Sequence, residues 1–239
     1  MEQNNENKAL EPLSPAVLAT KVLTEPTTAF ENIKAYPNWI FPVLLSLIVS
    51  LSFVYYTQDI NIEMQKKNIL ESDRFTEEQK DAALERLEDP GVFMTLIMPS
   101  IGVVISVFLV PAFLAAVFML FGNFAFGGNA DFKTLFSVSA WAGMVGVVEA
   151  LIKLPLIVIK HSYDVYTSLA LLMDPADSKT MLFKLANAVD IFSIWKIIVF
   201  SIAFGVVYKF SKGKSYGTMI SLYVVFTFII IGLGQLFNF

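Results

Sequence analysis

The sequence predicts an all-α, polytopic membrane protein: five transmembrane helices, with short amphipathic helices at the interface. Three observations lead there. Five apolar runs, at about residues 39–56, 92–121, 134–159, 191–208 and 216–237, carry almost no charge. A helix needs about 20 residues to cross roughly 30 Å of hydrocarbon, and each run is that long or nearly so. Apolar residues make up 56% of the 239 and charged residues 16%, against about 45–50% and about 25% in soluble domains. The charge is also uneven: residues 1–91 hold 8 bases and 15 acids, and residues 92–239 hold 9 bases and 6 acids.

Composition excludes much chemistry. There is no cysteine and one histidine, His161. Disulfides, thiol nucleophiles and redox pairs are therefore excluded, and a structural zinc site would need several Cys or His ligands. No basic surface suggests nucleic acid. No nucleotide loop, metal signature or nucleophile elbow is present, so no enzyme activity, catalytic residue or cofactor is expected. The first 38 residues lack the basic start and short apolar core of a signal peptide, so the first span is expected to direct insertion. The start and end also lack myristoylation and prenylation motifs.

Taken in order, residues 1–38 read as a cytoplasmic amphipathic tail, either laid along the membrane surface or serving as a partly ordered linker. Ser14 and Pro15 form a favoured helix start, with Val17, Leu18, Val22 and Leu23 as an apolar face. Pro26 stops that helix. Thr28 and Glu31 have capping-box spacing, opening a helix with Phe30 and Ile33 that Pro37 ends. Residues 39–239 form the membrane domain. Trp39, Tyr55 and Tyr56 are interfacial anchors of span 1. Residues 57–91 form a polar loop with a helix opened by the capping box Thr76-Glu77-Glu78-Gln79 and closed by Asp89-Pro90-Gly91. Span 2 is longer than a perpendicular crossing needs, with Pro99 and Pro111 as candidate kinks. Gly122 and Gly127-Gly128-Asn129 mark a turn, and Asp131 caps span 3. Residues 163–190 read as two small interfacial helices around Asp174-Pro175. Span 4 and the cationic turn Lys209–Lys214 follow, then span 5. An odd number of spans does not divide into two equal inverted halves.

The order of these features resembles the Yip (Ypt-interacting protein) domain family, in its bacterial form. The resemblance lies in Glu25-Pro26-Thr27-Thr28-Ala29-Phe30 with Ile33 before span 1, and in Thr76-Glu77-Glu78-Gln79. It continues in Gly127-Gly128, Phe132-Lys133 and Phe136-Ser137-Val138 at span 3, and in Asp190-Ile191-Phe192-Ser193-Ile194-Trp195 at span 4. It covers about residues 20–237 and implies an all-helical fold with a cytoplasmic N-terminus. In eukaryotic relatives it implies vesicle trafficking and contact with Rab-type GTPases. This sequence lacks the Asp-Leu-x-Gly-Pro motif of those relatives, which puts GTPase binding in doubt. Bacterial members supply no catalytic residues to carry over.

Candidate polar sites are few. Glu149 and Lys153 are four apart on span 3, on one helix face and in the favoured order. Ionisable groups at that depth default to a functional hypothesis: a proton or ion pathway, or a polar contact with a partner helix. The structural alternative is a self-neutralised pair beside the small residues Ala142 and Gly146. Asp190 reads as the N-cap of span 4, Trp195 as an interfacial ring, and Lys196 as a snorkelling cation. His161 reads as interfacial.

Two functions stay open. One is a non-enzymatic membrane protein that organises other proteins or lipids, with membrane-protein partners or as a homo-oligomer. The other is a small-solute or ion transporter or channel using Glu149 and Lys153. Bases nearly tie between the two sides, seven to eight. The short turn 209–214 is the densest cluster, and short loops carry the positive-inside rule. The expected setting is the bacterial cytoplasmic (inner) membrane, with the N-terminus in the cytoplasm.

Overall fold

The computed structural model describes residues 10–72 and 74–237. Lys8, one of the seven bases counted on the N-terminal side, lies outside them. Ten α-helices follow in order among the described residues: α1 (Pro15–Thr24), α2 (Pro26–Ala35), α3 (Ile40–Leu70), α4 (Glu77–Arg86), α5 (Met98–Met119), α6 (Phe132–Ala142), α7 (Met144–Lys160), α8 (Met181–Ala188), α9 (Ile191–Tyr208) and α10 (Lys212–Phe237). No strand occurs among these residues, only an isolated bridge between Ser168 and Asp190. Five segments are long and apolar enough to cross a membrane: Ile40–Leu70, Phe93–Ala125, Phe132–Lys160, Ile191–Tyr208 and Lys212–Gly234. The fold is therefore the all-α, five-span class that hydropathy predicts.

The chain forms two compact units. One comprises Met1–Val43, Val110–Gly146 and Tyr166–Phe239, and the other Leu44–Leu109 and Val147–Val165.

The first unit is built around α9. Helices α2, α6 and α10 pack on it, and Phe204, Ala203, Val199 and Val207 are buried along its length. In its most apolar stretch 39% of residues are enclosed, against 11% for α10, which leaves most of α10 to lipid. The α9–α10 contact is close because Gly205 faces Ser215. A Cβ on Gly205 would lie 2.8 Å from the Ser215 Oγ, the small-residue approach that membrane helices use.

The tail departs from its expected place. Most of its apolar face is buried in protein: Val22, Ala29, Phe30 and Ile33 have no exposed surface and Leu18 is buried, while Val17 stays exposed. Full burial of Val22, Phe30 and Ile33 stabilises the docked tail by about 1.5–3 kcal/mol each relative to exposure to water. Buried Asn32 joins the approach to α1 onto α2, accepting from the Leu13 N–H at 3.1 Å and donating to the Glu11 carbonyl at 2.7 Å. Ser14 caps α1 as expected. The Thr28–Glu31 capping box does not form. Helix α2 begins at Pro26, with Glu25 ahead of it and no side-chain cap. Proline costs nothing at a first helical position, where the N–H is an orphan anyway. The helix therefore restarts at once, two residues before Thr28.

The second unit holds the longest helix. The helix of span 1 does not stop with the apolar run at Tyr55–Tyr56; α3 runs 31 residues, about 46 Å. Residues 57–70 contain neither glycine nor proline, so nothing local stops the helix where hydropathy falls. Thr57 donates to the Phe53 carbonyl at 2.7 Å, and Ile60 is buried. Helix α4 has the predicted capping box, with the Thr76 and Gln79 side chains and backbone amides bonded reciprocally.

Two spans carry irregular turns. Span 2 stays helical through Pro111, and its irregularities are π-helical turns at Phe93–Ile97 and Leu120–Ala125. Pro99 offers no N–H to the first of these, where Met98 N–H reaches back to the Phe93 carbonyl. Span 3 is interrupted at Gly143, between α6 and α7. Asp131 caps α6, accepting from the Thr134 amide and hydroxyl at 2.9 and 2.7 Å. Those bonds hold its carboxyl below the usual carboxylate range.

The second π turn opens a notch in the first unit. The Tyr208 ring lies against Gly122 and Gly128, and its hydroxyl donates to the Phe118 carbonyl at 3.0 Å. A Cβ would lie 2.0 Å from the Tyr208 Cζ at Gly122 and 2.4 Å from its Cδ1 at Gly128. Overpacking of this kind costs typically about 1–3 kcal/mol. Gly122→Ala and Gly128→Ala should each lower the thermal midpoint in detergent. Gly102→Ala, where nothing lies within 4 Å, should hold or raise it. Equal behaviour of the three variants would remove the notch from the account.

Candidate functional site

Polar side chains are concentrated at three places. The first is at membrane depth on α7. Glu149 and Lys153 sit one turn apart, and the Lys153 Nζ lies 2.6 Å from the Glu149 Oε1. Their side chains are about four-fifths enclosed, with exposures of 21% and 20%. Oppositely charged groups this close form a charge-assisted hydrogen bond and present a dipole where two isolated ions would be costly. The helical spacing alone produces this contact. Past the end of α7, His161 adopts a left-handed backbone, φ 49°, and its Nε2 lies 3.2 Å from the Glu63 Oε2. Both side chains are exposed, which fits the interfacial reading.

The second place is the start of α9. Asp190 is its N-cap, as predicted, and accepts from the Phe192 N–H at 2.8 Å. Its other oxygen accepts from the Thr167 hydroxyl. The chain before α9 is thereby latched to the segment that follows span 3. Leu169 N–H donates to the Val189 carbonyl at 3.2 Å, and Ile191 N–H to the Thr167 carbonyl at 3.3 Å. Ser168 Oγ donates to Asn187 Oδ1 at 2.8 Å, and the Tyr223 hydroxyl to the Ala188 carbonyl at 2.5 Å. Thr167, Ser168, Asn187 and Tyr223 were not legible as partners, because no local spacing connects them to Asp190. Trp195 and Lys196 follow one turn later, both half-buried. The Lys196 stem reaches α7, with its Cε 3.8 Å from where a Gly146 Cβ would stand.

The third place, at the other end of α9, was not anticipated. Lys34 of α2 donates to the carbonyls of Val207 and Val206 at 2.7 and 3.3 Å. These groups belong to the orphan carbonyls that every helix leaves in its last turn. Burial first, and then the Lys209 cation, lower the Lys34 pKa from its ordinary value. Among the described residues, no group of three or more His, Asp or Glu side chains is placed to hold a metal ion.

Two predictions follow from this chemistry. Asp190→Ala leaves a half-buried hydroxyl and a buried amide without this acceptor, so it should cost about 2–4 kcal/mol, more than the roughly 1 kcal/mol of an isolated cap. Asp190→Asn keeps one acceptor and lets the Thr167 hydroxyl turn round to accept, so most of the stability should remain. Equal losses for the two variants in a detergent unfolding series would argue against the latch. On α7, Glu149→Gln should cost on the order of 1–3 kcal/mol. Adding Lys153→Met should recover much of it, and a double-mutant cycle with no coupling would mean that the pair is solvated.

With this geometry in hand, the comparison with known families is specific. The sequence model of the Yip1 domain matches residues 20–234. No curated protein and no solved structure matches the chain. The match runs from α1, through all five spans, to within a turn of the end of α10. The chain belongs to the Yip1 domain family and is an integral, multi-pass membrane protein of that family.

Proposed function

We propose that the chain is a non-enzymatic membrane protein that organises other membrane proteins or lipids, as partner-binding scaffold or homo-oligomer. The observation that carries this reading is the Glu149–Lys153 contact. The Lys153 ammonium lies on the Glu149 carboxylate at 2.6 Å within one helix, so that carboxylate already faces a cation and is not presented as a bare proton acceptor. The apolar surface of α10 and the exposed polar face of α4 are the natural contact surfaces.

The chain sits in the bacterial inner membrane with its N-terminus in the cytoplasm. The support is that Lys34 and the Lys209–Lys214 turn share one end of α9, and short cationic turns favour the cytoplasmic side.

The test separates scaffold from transporter. Pull-down from native membranes in mild detergent should recover a stoichiometric membrane-protein partner, and E149Q/K153M should retain it. Proteoliposomes should show no solute or ion flux above empty vesicles. Flux that depends on the charged pair would make the protein a transporter. Orientation is read separately, since the chain has no cysteine. In intact cells an impermeant maleimide should label D81C and spare G213C, and the reverse pattern would invert the topology.

A further inference from the structure

The turn between α9 and α10 carries Lys209, Lys212 and Lys214, all exposed. Lys209 adopts a left-handed backbone, φ 56°, and ends α9. Lys214 is held over two aromatic rings, its Nζ 4.0 Å from the Phe126 centroid and 3.8 Å from that of Phe210. Phe210 in turn stacks on Tyr208, with centroids 5.3 Å apart. Lys34 reaches the same helix end from α2. Four cations thus converge on one turn, and none of them has an ion-pair partner among the described residues.

The neighbouring elements do not supply the missing charge. The first turn of α10 has no acid. The Asp131 carboxylate is committed to Thr134. Glu31, one turn before Lys34 on α2, makes no ion pair with it. Burial first, and then the neighbouring Lys209 cation, lower the Lys34 pKa. The rings beside the cluster are open to the surroundings: Phe126, under the Lys214 ammonium, is 36% exposed, and Phe124, two residues earlier at the end of span 2, is 78% exposed.

We propose that this turn binds the phosphate of an anionic phospholipid headgroup, with Lys209, Lys212 and Lys214 facing the phosphate and Phe124 and Phe126 against the acyl chains. A soluble anion would use the lysines alone. A lipid uses both the lysines and the exposed rings at the edge of the span, and juxtamembrane lysine clusters are where acidic lipids concentrate. The inference is independent of whether the protein is a scaffold or a transporter.

The experiment uses the full chain in nanodiscs of phosphatidylcholine with a minor fraction of phosphatidylglycerol, reading retained lipid by native mass spectrometry. Wild type should retain phosphatidylglycerol in preference to phosphatidylcholine. Each lysine near an acidic lipid surface is worth about fivefold, so K209Q/K212Q/K214Q should lower that retention by on the order of tenfold or more. K209R/K212R/K214R and the control K66Q/K67Q should keep it. If the triple glutamine variant does not fold, K212Q alone reads the same loss at about fivefold. No headgroup preference in wild type, or unchanged retention in the glutamine variants, would overturn the proposal. Inorganic phosphate is the separating arm. If it raises the thermal midpoint in detergent as much as phosphatidylglycerol does, the ligand is a free phosphate and the lipid assignment fails. If cross-linking through Lys212 in native membranes captures an acidic protein segment and no lipid, it fails equally.

Discussion

The ammonium of Lys34 on the last carbonyls of α9 is the contact on which the first unit depends. A helix that ends beside a membrane leaves four carbonyls without intrahelical donors, and water is scarce there. Lys209 turns left-handed so that its N–H and that of Phe210 both return to the Gly205 carbonyl. Lys34 satisfies Val206 and Val207. Remove that lysine and two polar groups lose their donor while a docked helix loses its anchor. At the same helix end Tyr208 fills the Gly122–Gly128 notch, so the tail, the 122–131 turn and α10 are all referred to one helix terminus.

The opposite end of α9 repeats the logic with the charges reversed. Asp190, an anion at the positive end of the helix dipole, holds the Thr167 hydroxyl and the Phe192 amide. Between these polar staples α9 is apolar and closely packed through Phe204 and Val199. A membrane-embedded helix gains little from the hydrophobic effect against its neighbours, so fixing its two ends by directional bonds sets its depth and rotation. This explains why polar residues fix both ends of α9.

What could be read from sequence divides along the same line. The five spans were legible because the bilayer imposes a length and a polarity on each. The caps at Ser14, Thr76, Asp131 and Asp190 were legible because each lies within three residues of the amide it serves. The end of α3 was not: hydropathy reports where a helix leaves the membrane, and the backbone continues until something local stops it. The docked tail, the Asp190–Thr167 latch and the Tyr208 notch were not legible either, because each joins residues far apart in sequence. Gly122 and Gly127-Gly128 did signal a turn, but the close approach of Tyr208 to Gly122 and Gly128 has no local trace.

The tail's docking site has a consequence for synthesis. Lys34 and the carbonyl it serves on Val207 are 173 residues apart. At about 5–20 residues per second, the apolar face of α1 and α2 emerges roughly ten to thirty-five seconds before α9 exists to cover it. During that interval the finished tail has its apolar surface without its partner, and the nascent chain must shield it on the lipid surface or in a chaperone. The tail precedes α9 by many seconds, and its docking reports that the fourth span has arrived.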